Sequence, residues 1–131
     1  MTMTTTMRLA AFAIDCPDPR ALAEFYGRLL GWGEIDDSEA DVGWIELVDP
    51  AGGARLAFQR DPGYRPPTWP SRDVPQMMHL DIRVRTLAEG HERAIAAGAT
   101  LLPQPPDQPD AKWRVYADPA GHPFCMCAGE D

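Results

Sequence analysis

No stretch of this sequence approaches the roughly 18 consecutive apolar residues that a membrane-spanning helix needs. Nor does its start pair a basic segment with an apolar one, as a secretory signal would. Basic residues are a minority: 12 Lys and Arg stand against 20 Asp and Glu, a formal net charge of −8, with the two signs interspersed. Such a field repels nucleic acid and anionic lipid and offers no basic stripe to meet either, so neither is expected as a partner. Cysteine is scarce and odd in number, three residues, which argues against a disulfide framework and for a reducing, cytoplasmic compartment. Cys125 and Cys127 would point the same way on a strand from Cα atoms ~6.6 Å apart, near the upper limit for bridging. The sequence also lacks a Cys-x-x-Cys pair, a phosphate-cradling loop, a Ser-His-Asp set and paired carboxylates, so nothing in it supports those chemistries.

What is present is the makings of one domain. The 131 residues are 44% hydrophobic and 24% charged, an ordinary globular balance. The polar, Thr-rich beginning reads as a flexible leader over residues 1–7, with the domain running from 8 to 128. Residues 9–15 are short and apolar and stop at Cys16-Pro17-Asp18-Pro19, which predicts a strand. Asp18 is placed to cap a helix and Pro19 to open it. Ala21, Leu22, Phe25, Leu29 and Leu30 then recur at helical spacing, and Gly31 can close the turn, so a helix is expected over 19–30. Trp44–Val48 and Arg55–Gln59 flank Asp49-Pro50-Ala51-Gly52-Gly53 as a hairpin. Residues 60–76 hold five prolines and no periodicity and form a linker, with Tyr64 and Trp69 as its large anchors.

Then the plan restarts. Met77–Val84 alternates as a strand, Leu87–Ala97 reads as a helix closing at Gly98, and Leu101-Leu102 is a short strand ahead of the Pro103–Pro109 loop. Trp113–Ala117 and Phe124–Cys127 make a hairpin around Asp118-Pro119-Ala120-Gly121. Trp44…Asp49-Pro50-Ala51-Gly52 in one half matches Trp113…Asp118-Pro119-Ala120-Gly121 in the other, with the same Trp-to-Asp spacing and the same succession of elements before it. That is an internal duplication, with one module at about 8–59 and the other at about 77–128.

Side chains alternate across a strand, so parity sorts each into two faces. Phe12 and Ile14 oppose Ala11, Ala13 and Asp15; Met78, Leu80, Ile82 and Val84 oppose His79, Asp81 and Arg83; Phe124 and Met126 oppose Cys125 and Cys127. The large apolar faces suit packing beneath a helix. The smaller, more polar faces suit the lining of a cavity of mixed polarity, as small-molecule recognition requires.

The duplication, the strand–"Asp-Pro"–helix–Gly opening and the closing run Trp113-Arg-Val-Tyr-Ala-Asp-Pro-Ala-Gly-His-Pro-Phe-Cys resemble the glyoxalase/bleomycin-resistance group of the vicinal oxygen chelate superfamily. Gln59 at a strand end and His79 opening the second module fit the same group. The resemblance implies an α+β fold of duplicated βαβββ modules, eight strands curved around a central cleft with helices outside. It also implies that metal ligands, where the superfamily has them, fall at Ala11, Gln59, His79 and Cys125. Ala11 has no donor atom, Gln59 offers only a neutral amide oxygen, and Cys125 would be a soft thiolate; Cys127 or His122 could stand in under a shifted alignment. With no carboxylate in that set, metal-dependent catalysis is disfavoured. If a metal were bound, His79, Gln59 and Cys125 would hold it.

The expected function is therefore a metal-free protein that holds an organic small molecule. Gln59, His79, Asp81, Arg83 and Cys125 would line its site, between aromatic walls from Trp44 and Trp113, with Tyr64 and Trp69 also available to stack. The alternative is a lyase, isomerase or dioxygenase of the superfamily, with His79 as metal ligand or general acid–base and Arg83 holding an anionic group. Arg83 would need an acidic partner if buried, and His79 has the plainer reading of a buried histidine paired with Asp81 or Arg83. His91 is expected to face solvent. Open sheet edges and the resemblance together imply a homodimer.

Overall fold

The computed structural model describes residues 7–106, 108 and 110–129; residues 1–6 of the expected leader, and positions 107 and 109 of the proline-rich loop, lie outside them. The chain divides into two compact units, residues 1–60 and 61–131. Each has one helix and one open four-stranded sheet, and together they make the α+β fold of duplicated βαβββ modules that the sequence implies.

In the first unit β1 (Ala11–Cys16) leads into α1 (Pro19–Leu30), followed by β2 (Ile35–Asp36), a single 3-10 turn at Ala40–Val42, β3 (Trp44–Leu47) and β4 (Arg55–Arg60). The sheet order is β1-β4-β3-β2, with β1 parallel to β4 and the other pairs antiparallel. The helix begins where the sequence places it. The Asp18 side chain accepts from the Ala21 N–H at 3.2 Å, Pro19 occupies the first turn, and Gly31 closes the helix at φ 74°. Leu22, Phe25, Tyr26 and Leu29 bury one face of α1, and Ile45, Leu47, Leu56, Ala57 and Phe58 are the buried side chains of β3 and β4. Tyr26 stacks on Phe58 with ring centroids 5.9 Å apart. At about 1.5–3 kcal/mol for each large apolar side chain, this burial is the main source of the unit's stability.

The second unit repeats the scheme: β5 (Leu80–Val84), α2 (Leu87–Ala97), β6 (Thr100–Leu101), β7 (Trp113–Ala117) and β8 (Pro123–Ala128), in the order β5-β8-β7-β6 with β5 parallel to β8. Thr86 caps α2 by accepting from the Glu89 N–H at 3.1 Å, and Gly98 ends it at φ 111°. Ala94 and Ala97 of the helix are buried, as are Tyr116, Phe124 and Met126 on the alternate positions of β7 and β8. His91 corrects the expectation of a solvent-facing residue. It is half-buried, with Nδ1 2.8 Å from the hydroxyl of the fully buried Tyr116, a polar group that would otherwise be left without a partner.

The repeated tetrapeptide does the same work twice. Asp49 accepts from the Ala51 N–H through its carboxylate and from the Gly52 N–H through its carbonyl. Asp118 makes the same two bonds to Ala120 and Gly121, at 2.9 and 2.8 Å. Gly52 and Gly121 both sit at positive φ, 84° and 90°.

The strand expected at 77–84 starts three residues late. Its parallel partner supplies the reason: Leu80 pairs with Phe124, and the residue before Phe124 is Pro123, which has no N–H to extend the ladder. Met77 and Met78 alternate correctly but have no strand to join, and they are 89% and 74% exposed. Residues 61–76 form no helix or strand and pack within the second unit. Tyr64 donates to the Ala120 carbonyl at 2.7 Å, and the Trp69 indole N–H to that of Pro103 at 2.7 Å.

Candidate functional site

Register brings the chemistry of the second unit onto one face. Asp81 lies opposite Cys125 and Arg83 opposite Cys127 across β5 and β8, while Trp113 is opposite Cys127 and Val115 opposite Cys125 across β7 and β8. His79 precedes β5 with the same parity. These strands floor a cavity of ≈ 310 Å³, within the range of organic ligand sites. Its lining includes His79, Asp81, Trp113 and Cys125 from the expected set, together with Cys127. Val115 and Pro123 complete the floor, and Trp69 and Gln76 come from the segment ahead of β5.

The polar groups are interlocked. His79 Nε2 lies 3.1 Å from Asp81 Oδ1, and both side chains remain largely open to solvent, so the pair is realised but not buried. One ligand atom each from His79, Asp81 and Cys125 lies within 4.8 Å of the others. Burial pushes the Cys125 thiol up to about 12, helped by the negative charge of Asp81, by Cys127 and by a hydrogen bond to Asp81. The Cys127 thiol is raised as well, by burial first and by Asp81 next, with Arg83 pulling the other way. Both cysteines are therefore neutral thiols near pH 7. Gln76 Oε1 is buried and accepts no hydrogen bond.

The remaining expected site residues are not among those lining the cavity. Arg83 is exposed and donates from Nη1 to the Ala128 carbonyl at 3.3 Å at the far end of β8, so the acid partner expected for a buried guanidinium is not needed. Trp44 and Gln59 face each other across β3 and β4 of the first unit, where the Trp44 indole donates to Glu46 at 2.8 Å. Glu46 is also paired with Arg55, which reaches Asp36. His122, considered as a substitute ligand, has Nε2 3.2 Å from the Tyr64 hydroxyl; that hydroxyl already donates to Ala120, so His122 must be the donor.

Gln76 has no counterpart in the sequence reading, because a lone polar residue after Pro75 carries no periodicity to flag it. Pro123 would have followed from parity with Cys125 and Cys127 had the strand been extended by one residue.

The superfamily's metal can be tested against these donors. An imidazole nitrogen, a carboxylate oxygen and a thiol sulfur are a combination that zinc accepts, and Asp81 contributes the carboxylate that the expected set of His79, Gln59 and Cys125 lacked. The donor types fit. An ion would have to displace the Cys125 proton and the His79–Asp81 contact in order to bind.

The family model described as a glyoxalase-like domain matches residues 11–127. No curated protein matches the chain. Among solved structures, a glyoxalase/dioxygenase from Nostoc punctiforme is 16% identical with a TM-score of 0.67, over 99% of this chain and 100% of that one. A glyoxalase-related enzyme from Fulvimarina pelagi is 26% identical with a TM-score of 0.61, over 93% and 88%. A mutant of the fosfomycin resistance protein of Listeria monocytogenes, complexed with Mn(II) and a dihydroxypropylphosphonic acid, is 16% identical with a TM-score of 0.67, over 97% and 95%.

Proposed function

Since the chain belongs to the glyoxalase-like domain family, we propose that it is a small-molecule-binding member that holds an organic ligand in the second-unit cavity without a resident metal. The observation that carries this reading is the lining itself: two indoles with His79 and Asp81 around ≈ 310 Å³. A few convergent polar groups among apolar walls are what such recognition uses. The metal-free part rests on the donors. Ala11 leaves one of the superfamily's ligand positions without a donor atom. Three cysteines, none in a disulfide, fit a soluble cytoplasmic protein, and the homodimer implied by the resemblance is part of the same reading.

A second reading, an enzyme of the superfamily, draws on the grouping of His79, Asp81 and Cys125. Those three would hold a zinc-class ion, whose chemistry there would be Lewis-acid polarisation of a substrate oxygen; without a metal, His79 would serve as general acid–base. Elemental analysis of protein purified without chelator or affinity tag separates the two. The binding reading expects well under one equivalent of any transition metal, and His79→Ala that weakens ligand binding without changing metal content. One equivalent of zinc, manganese, iron or nickel, lost in His79→Ala, would promote the enzyme.

A further inference from the structure

We propose that the ligand of the second-unit cavity is a flat aromatic cation, of the arylammonium or amidinium type. This rests on the binding reading above and names its substrate class. Two observations converge on it. Among the described residues that line the cavity, Asp81 is the one with a fixed charge, and it is negative; the neighbouring guanidinium, Arg83, is engaged with the Ala128 carbonyl and is not part of the lining. The walls are indoles, and the Trp69 N–H is already spent on the Pro103 carbonyl, which fixes that ring and leaves its π-face as its means of recognition. Indole faces attract cations more strongly than any other side-chain ring. A flat ligand that brings positive charge satisfies both features. An anionic one would meet Asp81 with like charge.

One ring system in three charge states tests this: the aminoacridine cation, neutral acridine and acridine carboxylate, titrated calorimetrically into the full-length protein at pH 8. The cation should bind about tenfold more tightly than acridine, and the carboxylate more weakly than either. Asp81→Asn should bring the cation to within about twofold of acridine while leaving acridine unchanged. Equal affinity for cation and neutral ring, or preference for the carboxylate, would overturn the proposed class and leave the cavity as a site for flat aromatics. No measurable binding of any of the three would overturn the class and count against the binding reading beneath it.

Discussion

Cys125 shows how one residue's surroundings decide its chemistry. Its thiol is moved from an ordinary value of 9.0 to about 12, chiefly by burial and next by the Asp81 charge. Near neutral pH the thiolate fraction therefore falls by about three orders of magnitude, and the thiolate is the form that attacks electrophiles. Labelling with iodoacetamide at pH 8, followed site by site by peptide mass spectrometry, should find Cys125 at least a hundredfold slower than a free thiol such as glutathione. The rate should keep rising to pH 11 and beyond, where an unperturbed thiol has reached its plateau. Asp81→Asn removes the second cause but not the first, so labelling should accelerate yet stay slower than glutathione. A plateau near pH 9 would show that the thiol is not desolvated. The sign for stability follows: because the folded-state value is raised, protonated Cys125 favours the folded state up to about pH 9, and that contribution is lost as pH climbs towards 12.

At the scale of elements, the two DPAG turns give a matched experiment. Gly52 and Gly121 share the left-handed backbone that disfavours any Cβ, a cost of about 1–2 kcal/mol. A Cβ on Gly52 would meet nothing within 4 Å, whereas one on Gly121 would lie 2.8 Å from Pro66 Cβ. Gly121→Ala should therefore destabilise by roughly 1 kcal/mol or more beyond Gly52→Ala, as overpacking commonly does, read as the difference in urea midpoints. Equal losses would mean that residues 61–76 do not hold Pro66 against the turn.

The same turns explain what was legible in the sequence. Helix bounds followed from Asp18, Pro19, Gly31 and Gly98 because caps and φ preferences are local chemistry, and both hairpins followed for the same reason. The start of β5 did not, since it depends on Pro123 forty-three positions beyond Leu80. At the site, parity put His79, Asp81 and Cys125 on the smaller, more polar strand faces. It also admitted Arg83, because parity says which side a residue faces and not how far along the strand the cavity extends. Gln76 needed the path of the chain ahead of β5, which no local pattern encodes.

For the whole molecule, the expected assembly can be argued from edges. Each sheet is open, with β1 and β2 at the edges of one and β5 and β6 at the edges of the other. The edge strands β2 and β6 have only two residues apiece and offer little to pair with, while β1 and β5 are six and five residues long. Phe12 on β1 is 41% exposed although its neighbour across β4, Leu56, is buried, and Met7 and Leu9 just before β1 are 82% and 62% exposed. Long unpaired edges beside exposed apolar side chains favour association, and two-fold pairing is the commonest closed arrangement. Light scattering at tens of micromolar should therefore give twice the 14.4 kDa of the chain. Phe12→Lys should shift that mass towards the monomer, because it places a charge where the association would bury a ring. If the wild-type mass is that of one chain, and dilution or added salt leaves it unchanged, the protein is a monomer, and the exposed side chains around β1 have no part in self-association.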